Sequence, residues 1–375
     1  MNVHVRTLEP QAESAATTPV VAASRLAIAD CDIHPAVKSP RDLHPYLAAR
    51  WIEEMRAFGG RRKVGVQAGP AYPKSQPNAA RRDAWPEDGS VPGSDLGFLR
   101  SQLLDPYNVQ LGVLNAIGEN GQHFANRELA AAYCRATNHW QIETFTKPEP
   151  RLKASLVVPY EDAEAGVAEI EHWAGDPNFV QIILQSRSAD PLGNKRYWPV
   201  YEAAAAAGLP VGVHAFGFGG HPPTGSGWGS FYIEDMVGHA QSCQGLLISM
   251  IVEGVFERIP SLKLILIEAG FGWLPPLAWR LDKLWRRLRA ETPHLKRLPS
   301  EVIREHVWVT TQPMEEPEQR EHVLDTCGWI GWDRLLFATD YPHWDFDDPD
   351  QALQVRVDAP TRRRFFYENA RALYG

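Results

Sequence analysis

The stretch Leu264-Ile265-Leu266-Ile267-Glu268 sets four consecutive apolar residues against a carboxylate. Such a run leaves neither face of a strand polar, so it reads as a strand buried on both sides, the habit of parallel strands covered by helices. Glu268 at its end is tolerated there only if paired, metal-bound or protonated. The same grammar recurs in Ala27-Ile28-Ala29-Asp30-Cys31-Asp32-Ile33-His34, in Val211-Gly212-Val213-His214 and in Leu335-Leu336-Phe337-Ala338-Thr339-Asp340. Eight apolar runs are found in all, near 27–32, 111–117, 153–158, 179–184, 210–214, 263–268, 306–311 and 335–340.

Helical patterns separate most of these runs, as in 126–144, 161–173, 197–207 and 275–289. Repeated strand–helix units predict a distorted (β/α)8 TIM barrel, with a doubly wound open sheet as the alternative. In a barrel the C-terminal strand ends share one mouth, where Asp32, His34, His214, Glu268 and Asp340 would meet despite their distance in sequence. Imidazoles and carboxylates converging in one pocket predict a metal site.

The chain has 375 residues and is 44% hydrophobic, enough for one large barrel with insertions. Residues 1–24 read as a disordered lead-in, 25–375 as the barrel, and the Pro-, Gly- and Arg-rich segment 55–100 as a lid inserted after strand one. A second irregular segment, 215–234, follows strand five and carries six glycines. The net charge of −8 and the lack of a long basic cluster argue against nucleic acid as a partner. No apolar stretch is long enough for a membrane span, and four scattered cysteines without a CxxC pair give no disulfide framework. A cytoplasmic location is expected.

Asp32 and His34, two residues apart on a strand, point to the same side and can grip one metal. His214 ends its strand and opens the glycine-rich loop. Asp340, with His343 three residues on, can bind metal or move a proton, and Glu268 is the other catalytic candidate; an ion pair with Arg280 is its plainer alternative. Trp228, Phe231 and Tyr232 are expected to wall a substrate pocket, and Arg187 to pair a substrate carboxylate. His221 and His239 are expected behind the ligands rather than among them.

Taken in order, Asp32-Ile33-His34, His214, VFERIPSLKLILIEAGFGWLPPLAWRLD (255–282) and FATDYPH (337–343) resemble the amidohydrolase superfamily. The likeness covers roughly 25–375 and is greatest to the branch holding the aminocarboxymuconate-semialdehyde decarboxylases. It implies a divalent metal at the barrel mouth. That group usually has HxH at strand one and a catalytic His at the end of strand six, where this chain has Asp32 and Glu268. Three carboxylates and three imidazoles (Asp32, His34, His214, Glu268, Asp340, His343) resemble the dinuclear Fe or Mn/Fe monooxygenase offshoot, typified by aminoisobutyrate hydroxylase. The resemblance therefore implies an O2-activating hydroxylase of a small carboxylated substrate, as a homo-oligomer or paired with a second amidohydrolase-like subunit. The alternatives are a hydrolase of a C–N, C–O or activated C–C bond or a non-oxidative decarboxylase, each with a single zinc, and a barrel that only supports a catalytic partner.

Overall fold

The computed structural model describes residues 25–59, 77–215, 222 and 224–375. Eight parallel strands follow one another in chain order around a barrel: β1 (Ile28–Ile33), β2 (Val109–Leu114), β3 (Leu152–Val157), β4 (Phe179–Gln185), β5 (Val211–His214), β6 (Leu264–Ile267), β7 (Val307–Thr310) and β8 (Leu335–Leu336). Each pairs with the next, as a (β/α)8 barrel requires and a doubly wound sheet does not. The predicted β8 is too long: the ladder stops at Leu336, and the following residues close the barrel through single bonds. Cys31 N donates to Phe337 O (3.0 Å), Asp340 N to Asp32 O (3.1 Å) and His34 N to Tyr341 O (2.7 Å). The closing seam thus runs through the residues singled out for metal binding.

Helices cover the barrel where the sequence predicts them, among them Arg127–Gln141, Ala163–Trp173, Trp198–Ala206 and Leu274–Leu288. Their starts follow from local chemistry. The Asn126 and Asp162 side chains accept backbone N–H bonds of the first turn, and prolines occupy the first turn of Leu274–Leu288, where an N–H has no helical partner. The strands are almost wholly buried, and the apolar core runs continuously from barrel to helices. Among the described residues no helix is long and apolar enough to cross a membrane.

Of the 55–100 insertion, 77–100 lies against the loop after β8. Arg81 N donates to Pro342 O (2.9 Å), Trp344 N to Ala79 O (2.7 Å), and Ala80 bridges His343. The insertion therefore packs on the metal-site side of the barrel. Gly93 makes this approach possible: it has φ +80° and is buried, and a Cβ there would strike the His34 carbonyl oxygen. Gly89, with φ +72°, has nothing within 4 Å of that position. Alanine at either site bears a left-handed backbone, about 1–2 kcal/mol, but only at Gly93 does it also push on β1. Gly93→Ala is expected to lose at least about twice the stability that Gly89→Ala loses in chemical denaturation. Equal losses would show that Gly93 matters for its backbone angle alone.

Candidate metal centre

Period-two alternation turns Asp32, in β1, and His34, the first residue beyond it, to the same inner side, while His214 is the last residue of β5 and Glu268 the first beyond β6. One ligand atom from each of the four lies within 4.8 Å of all the others. All four side chains are buried. Glu268 reaches the centre from a backbone at φ 51°, and Asp340 from φ 64°. Non-glycine residues in this region are strained, and such strain gathers at functional sites.

The imidazoles are held from behind. His34 Nδ1 contacts Asn115 O (3.1 Å) and His214 Nδ1 contacts Ala215 O (2.6 Å). A carbonyl can only accept, so each Nδ1 carries the proton and each Nε2 turns its lone pair to the centre. There His214 Nε2 lies 3.0 Å from Glu268 Oε2 and 3.5 Å from Asp32 Oδ2, and His34 Nε2 lies 3.2 Å from Asp32 Oδ1. The separations are short, yet Asp32 Oδ2, His34 Nε2, His214 Nε2 and Glu268 Oε2 are buried with no hydrogen-bond partner of acceptable direction. Lone pairs aimed at carboxylates repel unless a proton or a cation lies between them. Two nitrogens and two oxygens converging in this way fit a divalent ion.

The charges respond to this crowding. Burial depresses the His214 imidazole, but Asp32 and Glu268 outweigh it and raise it to about 10. Burial favours neutral Asp32, but His34 and His214 outweigh it and hold it below the usual carboxylate range. Asp340 goes the other way: burial, reinforced by Glu268, Asp345 and Asp32, pushes it well above the ordinary value.

Asp340 and His343 form a second group of possible ligands with His34, adjoining the first four. Asp340 Oδ1 lies 2.8 Å from His34 Nε2 and 2.7 Å from His343 Nδ1, and the His343 ring stacks on His34 at 4.4 Å. Burial and His34 keep His343 well below its usual value, so it is neutral. The alternative partner of Glu268, Arg280, is exposed on the Leu274–Leu288 helix, and His214 takes its place.

The residues expected to wall a substrate pocket differ in exposure. Trp228 and Phe231 are 67% and 71% exposed, whereas Tyr232 is half-buried, accepts from Trp344 Nε1 (3.3 Å) and has its pKa raised by burial and by Asp345, Glu268 and Asp340. Arg187 is half-buried two residues past β4, and His239 is buried ahead of the Ala240–Glu253 helix, its carbonyl accepting from Ser242 Oγ (2.7 Å). His221 lies outside the described residues.

Sequence reasoning missed two residues. Asn115, just past β2, donates from Nδ2 to Asp32 Oδ1 (2.7 Å) while its carbonyl holds His34, so one residue addresses both ligands of β1. Its signal was present, a polar residue ending an apolar run, but it is not ionisable. Asp345 offers a ligand atom within 4.8 Å of Glu268 and Asp340, from a loop with no periodicity to mark it.

The amidohydrolase family model Amidohydro_2 matches residues 29–375. The gamma-resorcylate decarboxylase of Polaromonas sp. (strain JS666) is 27% identical over 315 residues, 76% of this chain and 92% of the relative. That of Rhodococcus jostii (strain RHA1) is 24% identical over 68% and 82%. Among solved structures, the Polaromonas dihydroxybenzoic acid decarboxylase with bound manganese and 2-nitroresorcinol superposes with a TM-score of 0.63 at 20% identity, covering 93% and 97% of the two chains. The 5-carboxyvanillate decarboxylase of Sphingomonas paucimobilis gives 0.66 at 19%, covering 94% and 99%. These findings overturn the expectation of an O2-activating dinuclear hydroxylase, because the relatives are decarboxylases. In three dimensions the six groups overlap: Asp32, His34, His214 and Glu268 converge, and Asp340 and His343 meet His34 alongside them. A barrel closed in strand order, the metal-ligand nest at its mouth and a family match spanning nearly the whole chain lead to one conclusion: the protein belongs to the Amidohydro_2 family of amidohydrolases.

Proposed function

We propose that this enzyme is a metal-dependent, non-oxidative decarboxylase of a small hydroxylated aromatic carboxylate. The observation that carries the reading is the nest of four unpartnered ligand atoms beside Asp340, a fully buried carboxyl whose proton affinity is raised by burial and by Glu268, Asp345 and Asp32. The decarboxylases among the relatives, named for hydroxylated benzoates, support the substrate class. One divalent ion, manganese or zinc, would be held by Asp32, His34, His214 and Glu268, and its Lewis acidity would fix the substrate carboxylate and an adjacent ring oxygen.

Proton supply falls to this chain's own residues. Asp340 gives its proton to the ring carbon that bears the carboxylate, where an ortho hydroxyl has raised the electron density. The new C–H bond forms, the C–C bond to the carboxylate breaks with its electron pair returned to the ring, and CO2 leaves: ArCOO⁻ + H⁺ gives ArH + CO2. Asp340 is then reprotonated through His343, whose Nδ1 is 2.7 Å away and whose side chain, 20% exposed, reaches toward solvent. A carboxyl kept neutral by burial and neighbouring charge thus supplies the acid that the related decarboxylase group draws from the strand-six imidazole. Arg187 at the mouth is the candidate to pair a further anionic group of the substrate, and Tyr232 to border the ring.

The metal-loaded protein is expected to release CO2 from ortho-hydroxylated benzoates at the same rate with and without oxygen. Asp340→Asn should keep its metal and its fold and lose about 10²–10⁴ in turnover. Full turnover in that variant, or a requirement for oxygen, would remove the reading.

Metal uptake should depend on pH. Below about 10 the metal-free His214 carries a proton, which an entering cation must expel, so apparent affinity rises with pH by up to about tenfold per unit for each proton released. The raised His214 also stabilises the metal-free fold fully below its unfolded value, near 6.5, and that contribution fades as pH climbs toward about 10. Melting temperatures of the stripped protein should therefore fall across that window, while the loaded protein changes little. Calorimetry in buffers of different ionisation enthalpy counts the protons, and zero release would refute the protonated nest.

A further inference from the structure

A run of hydrogen bonds crosses the barrel interior from the Asn369–Tyr374 helix to Asp32. Tyr374 Oη donates to Gln181 Oε1 (2.9 Å), and Gln181 Nε2 donates to Ser155 Oγ (2.8 Å) and Asn115 Oδ1 (3.2 Å). Ser155 Oγ donates to Asn115 Oδ1 (2.5 Å), and Asn115 Nδ2 donates to Asp32 Oδ1 (2.7 Å). Gln181, Ser155 and Asn115 are completely buried.

The direction of every bond is dictated from the Asp32 end. An ionised carboxylate only accepts, so Asn115 must turn its NH2 group to it and leave Oδ1 to accept. Ser155 and Gln181 therefore donate to that oxygen. The Gln181 amide, so turned, presents Oε1 at its other end, and only a donor can fill that place. The Tyr374 hydroxyl does so. All the dipoles point the same way and stabilise negative charge on Asp32, and aligned hydrogen bonds polarise one another in the dry interior. Room is kept for the run as well: a Cβ on Gly212 of β5 would stand 3.1 Å from Gln181 Cδ and Nε2.

We propose that Tyr374 is a positioning residue of the metal centre, acting through Gln181, Ser155 and Asn115 to fix the orientation of Asp32 and hold its charge. The proposal rests on the reading of Asp32 as a metal ligand. It separates the role of Tyr374 from packing, since removing the hydroxyl leaves the ring in place and takes away only the first donor.

The test is titration of the metal-stripped full-length protein with Zn2+ against a chromophoric chelator, alongside melting temperatures. Tyr374→Phe is expected to raise the Zn2+ dissociation constant about three- to tenfold, at the low end of the effect of residues that orient ligands. Gln181→Met breaks the run midway and should raise it at least as much. Adding Tyr374→Phe to Gln181→Met should then leave the dissociation constant unchanged, because the donor no longer reaches Asp32. A Tyr374→Phe protein with a lowered melting temperature but wild-type Zn2+ affinity would overturn the proposal, as would independent, additive effects of the two substitutions. Asp32→Asn distinguishes the two levels. If it weakens Zn2+ binding while Tyr374→Phe does not, the relay alone fails. If Asp32→Asn binds Zn2+ like wild type, the ligand reading fails and the relay with it.

Discussion

The structure is organised around a repulsion. Asp32, Glu268 and Asp340 bring three carboxylates into a barrel mouth where all are buried, and His34 and His214 turn their Nε2 lone pairs into the same space. Charges this close and this dry cannot remain uncompensated: at an effective dielectric of about 20, two like charges 4 Å apart cost on the order of 4 kcal/mol. Without a cation the compensation is made by protons, on His214 and Asp340. With a cation in the nest, the proton on His214 is surplus. The same crowding that prepares four atoms for a metal thus prepares the fifth group to carry a proton.

Holding such a cluster together demands rigidity elsewhere, and the barrel supplies it at the seam. Asp340 N bonds to Asp32 O and His34 N to Tyr341 O, so closure of the cylinder and placement of the ligands are the same set of bonds. The left-handed backbones of Glu268 and Asp340 are tolerated because strands on either side over-determine them. Glu268 N is also held by Thr310 Oγ1 (3.0 Å) from the end of β7. One layer below, Asp30 accepts from Asp32 N, Thr339 N and Thr339 Oγ1, tying β1 to the chain beyond β8 beneath the nest.

Much of this is legible in the sequence, for a definite reason. A strand buried on both faces leaves an unbroken apolar run, so the first ionisable residue after it is conspicuous; His214 and Glu268 stand out in this way, and Asp32 and His34 through their period of two. The rule fails where its premise fails. Asn115 ends an apolar run too, but amides are common in turns and carry no charge to make burial conspicuous. Asp345 lies in a loop, where neither periodicity nor apolar flanks point to it. Trp228 and Phe231, expected to wall a substrate pocket, are exposed, since residue type says nothing of the direction in which an irregular segment turns its side chains. β8 reads longer in the sequence than it is, because apolar Phe337 and Ala338 continue the pattern after the ladder has ended, where the chain bends to bring Asp340 inward.

The count of ligands is less simple in three dimensions than along the chain. Six strand-end donors in one mouth do not meet at a single point but fall into overlapping groups. Position along a strand fixes only the layer; the neighbouring side chains decide which group a carboxylate joins. Glu268, just past β6, joins Asp32, His34 and His214, while Asp340, with a similar backbone, lies between His34 Nε2 (2.8 Å) and His343 Nδ1 (2.7 Å). Substituting a carboxylate for an imidazole at the end of β6 therefore need not change the chemistry from proton transfer to oxygen activation. It adds an anion that raises the proton affinity of its neighbour Asp340, while the barrel stays the same.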